Sequence, residues 1–299
     1  MPEMADILRR YGHAYRAKYG SRMLPSHKRT IGDIIKCRTR DMGGKVYECP
    51  EHHELAYKYH SCMNRSCPKC QNDQAQTWLA KERKRLIAVP YFLLTFTLPK
   101  ELRNMARSHQ RLFYKIMFAV AWQAMKKLAC DPRLIGGLLG ALAVLHTWGR
   151  TLIYHPHIHF LVPAGGLNED LNTWIPAQKN FFLPVKALSK IFRAKMRDSL
   201  KAEALELFRQ IPNQVWHKDW VVHCKSAGNG QAVLKYFAPY VYRVAISNKR
   251  IIKLENDQVT FVSKHPKTKQ WKPVTLPVFE FLRRFLQHVL PLGFKKSLS

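Results

Sequence analysis

The chain is short of acid. Its 299 residues carry 20 Asp and Glu against 50 Lys and Arg, a formal charge of +30. An excess of that size repels itself within a compact fold and far exceeds what solubility needs, so a polyanionic partner is the natural explanation. Long apolar runs are also missing. The longest quiet stretch, 135–145, contains three glycines and is too short to span a bilayer. Met1-Pro2-Glu3-Met4-Ala5-Asp6 has neither the basic start nor the apolar core of a signal peptide. There is no internal repeat, no low-complexity segment and no P-loop-like helicase motif. The cysteines argue against a disulfide framework. They number seven, and five fall between Cys37 and Cys70, a distribution that suits metal binding in a reducing cytosol.

What is present suffices for one large core or two smaller ones, at 46% hydrophobic content. Residues 1–86 hold the cysteine cluster and close in a helical stretch, 73–86, that ends in a basic run. Residues 87–299 alternate strand and helix. The run 91–98, bracketed by Pro90 and Pro99, reads as a buried strand. Helical periodicity follows over 101–129, with Leu112, Ile116, Ala119 and Val120 on one face. Strands are expected at 142–147 and 152–162, joined by a turn around Gly149, and again at 215–225. A helix at 188–208, another after Gly228-Asn229-Gly230, a hairpin around Asn256-Asp257 and a last helix at 279–289 complete the reading. Strands joined by hairpins with long helices between them predict an α+β fold, in which a zinc-binding module precedes a central antiparallel sheet flanked by helices.

Cys49-Pro50-Glu51-His52 and Cys67-Pro68-Lys69-Cys70 each place two metal-binding side chains on a tight knuckle. Cys37, Cys62, His53 and His60 add further donors. The competing reading, cysteines buried as small hydrophobes, fits poorly with five of them inside 34 residues at paired spacing. At least one structural zinc is expected, drawn from Cys37, Cys49, His52, Cys62, Cys67 and Cys70. Such a site folds a DNA-contacting module.

The stretch His155-Pro156-His157-Ile158-His159 alternates histidine at a period of two, so on a strand the imidazoles share one face. Two of them can hold one ion together. Further on, Tyr236 and Tyr240 lie at i and i+4 on one helical face, with Pro239 between them. An aromatic stripe of that kind is more often core, and the histidine strand shifts the balance. A tyrosine oxygen can attack a phosphodiester and form a phosphotyrosine that stores the bond for rejoining. Neutral histidines can hold the divalent ion that offsets the phosphate charge.

Three motifs together carry a family resemblance. They are His146-Thr147-Trp148-Gly149, the segment from His155 to Leu167 ending in Val162-Pro163-Ala164-Gly165-Gly166-Leu167, and the segment from Tyr236 to Asn248. They resemble the two-tyrosine HUH transposases of rolling-circle insertion sequences. Cys62-Met63-Asn64-Arg65-Ser66-Cys67-Pro68-Lys69-Cys70-Gln71 looks like the zinc-binding domain at that family's N-terminus. The resemblance implies an enzyme that cleaves and rejoins single-stranded DNA through a 5'-phosphotyrosine with magnesium or manganese. It makes Tyr236 and Tyr240 the nucleophiles and His157 and His159 metal ligands, with His146 the candidate third ligand. It further implies a cytoplasmic, nucleoid-associated bacterial protein whose partner is single-stranded DNA at element ends and target, and no membrane. Where the family has cysteine this chain has His52, and where it has histidine this chain has Ser66. The family continues as basic sequence beyond the position of Phe294, so the 87–299 domain reads as C-terminally shortened.

Two other readings fit some of these features. A rolling-circle replication initiator or relaxase shares the histidines and tyrosine but not the cysteine-rich front. A non-catalytic zinc-dependent DNA-binding protein explains charge and cysteines and leaves the histidine strand idle. For phosphate contact the expected residues are Arg83, Lys84 and Arg85 after the zinc module, and Lys235, Arg243, Lys249 and Arg250 around the tyrosine helix. Trp148 and Trp220 are candidates for base stacking, although core packing is the commoner fate of such residues.

Overall fold

A computed structural model describes residues 1–149, 151–178, 181–242, 245–265, 268, 270–294 and 297–298. Arg243, an expected phosphate contact, lies outside the described residues. In chain order the elements are α1 (Met4–Tyr19), α2 (Pro25–Lys36), β1 (Gly44–Glu48), β2 (Leu55–Tyr59), α3 (Asn72–Arg83), β3 (Tyr91–Thr97), α4 (Arg103–Ser108) and α5 (Gln110–Ala129). There follow β4 (Leu142–Trp148), β5 (Tyr154–Pro163), β6 (Gly165–Leu167), β7 (Trp174–Pro176), α6 (Val185–Glu203), α7 (Leu205–Arg209), β8 (Val222–Ser226) and α8 (Gln231–Tyr242). The last are β9 (Ile251–Glu255), β10 (Gln258–Lys264), β11 (Trp271–Pro277), α9 (Val278–Leu286) and the two-residue β12 (Ser297–Leu298).

These elements gather into two compact units that interleave along the chain. One comprises 1–77, 148–153 and 242–292, the other 78–147, 154–241 and 293–299. The boundary expected near residue 86 separates α3 from β3, yet 242–292 joins the N-terminal unit. In that unit α1 starts on a reciprocal cap, with the Asp6 carboxylate accepting the Glu3 amide at 2.8 Å. It buries Met4, Ile7, Leu8 and Tyr15, and Tyr15 meets Phe279 edge-on at 5.6 Å. The amphipathic α9 buries Phe281, Leu282 and Phe285 completely. β9 and β10 turn tightly through Asn256 and Asp257, both at positive φ (48° and 56°), the left-handed pair that a two-residue hairpin requires.

The second unit is built on a five-stranded sheet in the order β12-β4-β5-β3-β8. β3 is an interior strand, antiparallel to both β5 and the edge strand β8. Every residue of β3 except Thr95 is buried, as expected of a mostly apolar strand interior to a sheet. One sheet face carries Phe96, Ile158 and Phe160, and packs on α5 and α6. Phe96 meets Phe160 at 5.7 Å and Phe192 of α6 at 5.1 Å, while Tyr114 of α5 is hydrogen-bonded to Tyr154.

Two sequence expectations change at this level. The strand foreseen over 215–225 is shorter: Val215 and Trp216 sit in a 3-10 turn, and only Val222–Ser226 pairs. Both residues, with Trp220, are buried against α6 or α7, so their apolar pattern reports a packed corner and not a strand. The helix expected over 101–129 is broken at His109, whose backbone leaves the helical region (φ −122°, ψ 48°).

Candidate metal centres and nucleophiles

Four cysteine sulfurs come together in the first unit. Cys37 follows α2, Cys62 follows β2, and Cys67 and Cys70 form the knuckle before α3; all four ligand atoms lie within 4.8 Å of one another. Cys37 and Cys67 are fully buried, and Cys62 and Cys70 approach to 3.7 Å. So many sulfurs cannot all ionise unaided. Their mutual hydrogen bonds push the Cys62 thiol up and pull Cys70 down, and the Gln71 amide adds a donor to Cys70. A buried set of four sulfurs without carboxylate is the donor chemistry of a closed structural zinc site.

Cys49 and His52, expected among the zinc ligands, are not in this group. The reason is the β1–β2 hairpin, whose register pairs Gly44 with Tyr59 at its base and Glu48 with Leu55 at its far end. Five residues of extended strand, about 16 Å of chain, carry Cys49 to the end of the hairpin away from Cys37 and Cys62. There the amides of His52 and Glu51 donate to its sulfur and lower its pKa.

In the second unit the histidine face of the sheet is opposite the Phe96 face. The register sets Thr95 beside both His159 of β5 and His223 of β8, and Thr97 beside His157. His146 projects from the neighbouring β4, and the donor atoms of His146, His157 and His159 fall within 4.8 Å of one another. His146 and His159 are buried and His157 partly so. The ring of His157 donates from Nδ1 to the His155 carbonyl at 2.7 Å, which leaves Nε2 as a free lone pair. His159 has Thr95 Oγ1 at 2.9 Å on Nδ1, while its Nε2 is buried with no hydrogen-bond partner. Burial, helped by His159, depresses His157 to about 3; burial and Lys225 depress His159 to about 4. Both rings are therefore neutral at physiological pH and able to ligate. Three convergent imidazoles with an orphaned buried nitrogen fit a divalent ion.

α8 lies over this cluster. It opens after Gly230, whose positive φ (76°) disfavours a side chain and where an added Cβ would crowd the Tyr91 ring at 3.2 Å. Tyr240 rests on His146 at 4.1 Å between ring centroids, Tyr236 lies 5.9 Å from His159, and the two tyrosines are 4.6 Å apart. Pro239 removes one amide from the helix between them. Tyr236 is 41% exposed, whereas Tyr240 is half-buried.

The expected phosphate contacts divide by environment. Arg83, Lys84, Lys235 and Lys249 are exposed. Arg85 is paired with Glu82 at 3.2 Å. Arg250 is turned inward, donating to the Val262 carbonyl at 2.8 Å and the Ala245 carbonyl at 3.2 Å, so it serves the fold of its own unit. Trp148 and Trp220 are buried and cannot stack on bases. Sequence reasoning missed Thr95, and also His223 and Lys225, which continue the histidine face onto the exposed edge strand β8. The signal for them is strand alternation, which becomes informative once β3 is known to lie between β5 and β8.

A cysteine zinc cluster in one unit, and a histidine triad under paired tyrosines in the other, define a DNA-processing protein of the transposase class. Residues 7–98 match the "Transposase zinc-binding domain" family of IS91-type elements, and residues 140–297 match the Y2_Tnp family, described as "Putative transposase". The chain belongs to this transposase family. It is 37% identical to the "Putative transposase y4qJ" of Sinorhizobium fredii, over 99% of this chain and 78% of that one. It is 27% identical to the transposase for insertion sequence element IS801 of Pseudomonas savastanoi pv. phaseolicola, over 87% of this chain and 66% of that one. No solved structure matches the chain. Among the described residues no helix is long and apolar enough to cross a membrane.

Proposed function

We propose that the chain cleaves and rejoins single-stranded DNA through Tyr236 and Tyr240, and so moves a rolling-circle insertion sequence. The observation that carries this reading is the pair of tyrosine rings set against three convergent histidines, at 4.1 and 5.9 Å. The phenolic oxygen attacks phosphorus, the bond from phosphorus to the 3'-oxygen breaks, and the departing 3'-oxygen is protonated as the phenol proton is lost. The product is a 5'-phosphotyrosine and a free 3'-hydroxyl, with the phosphoester count unchanged. Reversal by a new 3'-hydroxyl rejoins the strand. A divalent ion held by His146, His157 and His159 would offset charge on the phosphate oxygens. Nitrogen donors favour manganese over magnesium, which prefers oxygen. Zinc on Cys37, Cys62, Cys67 and Cys70 would hold the N-terminal module.

The two tyrosines are not equivalent in this reading. Tyr236 is open to an incoming strand, and Tyr240 is packed on His146. Exposed Lys225 and Lys235 flank them and are suited to phosphates. The test is a covalent adduct on denaturing gels, after incubation with labelled single-stranded element-end DNA and manganese. Tyr236→Phe should lower the initial adduct rate more than Tyr240→Phe, and the double variant should abolish the adduct. An undiminished adduct in the double variant overturns the assignment.

A further inference from the structure

Among the described residues the β1–β2 hairpin buries neither of its strands. All ten of its strand residues are exposed, and they include Val46, Tyr47, Leu55, Tyr57 and Tyr59. A two-stranded ribbon with both faces in water is marginal on its own. This one is secured at its base, because Cys37 precedes it and Cys62 follows it, and both belong to the sulfur cluster. Backbone bonds close the same end, from Arg38 to His60 and from His60 to Gly43. The cluster thus clamps a rigid arm whose side chains serve no core.

The chemistry of the arm points to its occupant. Tyr57 and Tyr59 share a face, with rings 20° from parallel and centroids 6.4 Å apart. That separation, set by the i to i+2 repeat of a strand, is close to twice the roughly 3.4 Å rise of stacked bases. Two near-parallel rings at that spacing leave a slot for one planar base. Gly44, the cross-strand partner of Tyr59, puts no side chain over its ring. On the other face Lys45 and Lys58 are direct cross-strand partners, and neither forms an ion pair among the described residues. Like charges placed so cost stability unless an anion lies beside them. The acids of the hairpin sit at its far end, where Glu48 meets His53 at 2.8 Å and Glu51 meets His52 at 3.9 Å. The half nearest the cluster is therefore both aromatic and basic.

We propose that this half of the hairpin is a stacking arm for unpaired DNA, with a base held between Tyr57 and Tyr59 and neighbouring phosphates drawn to Lys45 and Lys58. The assignment rests on the reading of the chain as a single-strand DNA enzyme and adds the surface that grips the strand. It does not involve the tyrosine chemistry, and its test is independent of cleavage.

The zinc-loaded full chain would be titrated against a fluorescent single-stranded oligonucleotide and a duplex of the same sequence, without added magnesium or manganese. Base–aromatic stacking predicts that Tyr57→Ala/Tyr59→Ala weakens single-strand binding about 10-fold or more, with little change for duplex. Tyr57→Phe/Tyr59→Phe, which keeps both rings, should stay within about 2-fold of wild type. Zinc content equal to wild type shows that the arm's base is intact. Single-strand affinity unchanged in the alanine variant overturns the arm and leaves the proposed cleavage untouched. Equal loss on duplex and single strand overturns base stacking in favour of groove contact. A wild-type chain that binds no unpaired DNA refutes both readings together.

Discussion

Thr95 offers the sharpest test of how the histidine site is organised. Its hydroxyl is 2.9 Å from Nδ1 of His159, and His159 Nε2 is buried and unpartnered. Thr95→Val keeps shape and strand propensity while deleting that contact. Two costs follow. The ring loses the bond that sets its tautomer and rotation, worth about 0.5–1.5 kcal/mol, and a buried nitrogen is left unsatisfied when the ring points correctly, at about 1–3 kcal/mol. Partial relaxation of the ring trades one against the other, so a loss near 1.4–2.8 kcal/mol is expected, a 10- to 100-fold weaker metal affinity. The measurement is free manganese by electron paramagnetic resonance during titration of zinc-loaded protein, paired with adduct rate against manganese concentration. The rate should recover at saturating metal, since Thr95 touches no reacting group. Thr97→Val is the control: Thr97 shares the face, but its neighbour His157 already donates Nδ1 to the His155 carbonyl at 2.7 Å. Manganese affinity within 2-fold of wild type in Thr95→Val, or an equal loss in Thr97→Val, would refute the view that Thr95 orients a ligand.

Two further outcomes follow from the N-terminal unit. Cys67→Ser should empty the zinc site and unfold the arm's base, whereas Cys49→Ser and His52→Ala should keep wild-type zinc content by metal analysis, since neither residue lies in the cluster. Glu280 is held down to about 2, chiefly by its hydrogen bond from Arg283 and then by Arg284, at 2.6 and 2.7 Å. A depressed carboxyl stabilises the fold above its unfolded value near 4.3, and that contribution fades as pH falls toward 2. Solvent screening of this partly exposed cluster leaves about 1 kcal/mol, so melts of Glu280→Gln should fall below wild type at pH 7 and converge with it near pH 2–3.

The parts of the molecule that were legible in sequence are those where one short period decides the outcome. Alternating histidines on β5 could face only one way, and Tyr236 and Tyr240 could share only one helical face, so a handful of residues specified the site's two halves. β3 was readable because a mostly apolar run between two prolines fits a buried interior strand. Features set by distant pairing were not legible. Thr95 looks like any strand threonine until the register places it against His159, and Val215 looks like strand until Trp216 and Trp220 stack at 5.7 Å in a corner.

The zinc ligands show the same limit in a more instructive form. Spacing makes Cys49 to His52 as good a knuckle as Cys67 to Cys70, and local geometry agrees, since backbone amides of Glu51 and His52 do reach the Cys49 sulfur. What separates the knuckles is the ten paired residues of β1 and β2, which project one turn away from the cluster while returning the chain to Cys62. Cys37 and Cys62, which flank the hairpin in sequence, meet in the cluster because the hairpin leaves it and returns to it. That also explains why the arm tolerates so exposed an aromatic face. Its ends meet at the four-sulfur cluster, and zinc bound there would tie them, so its strands would need to bury nothing to stay formed.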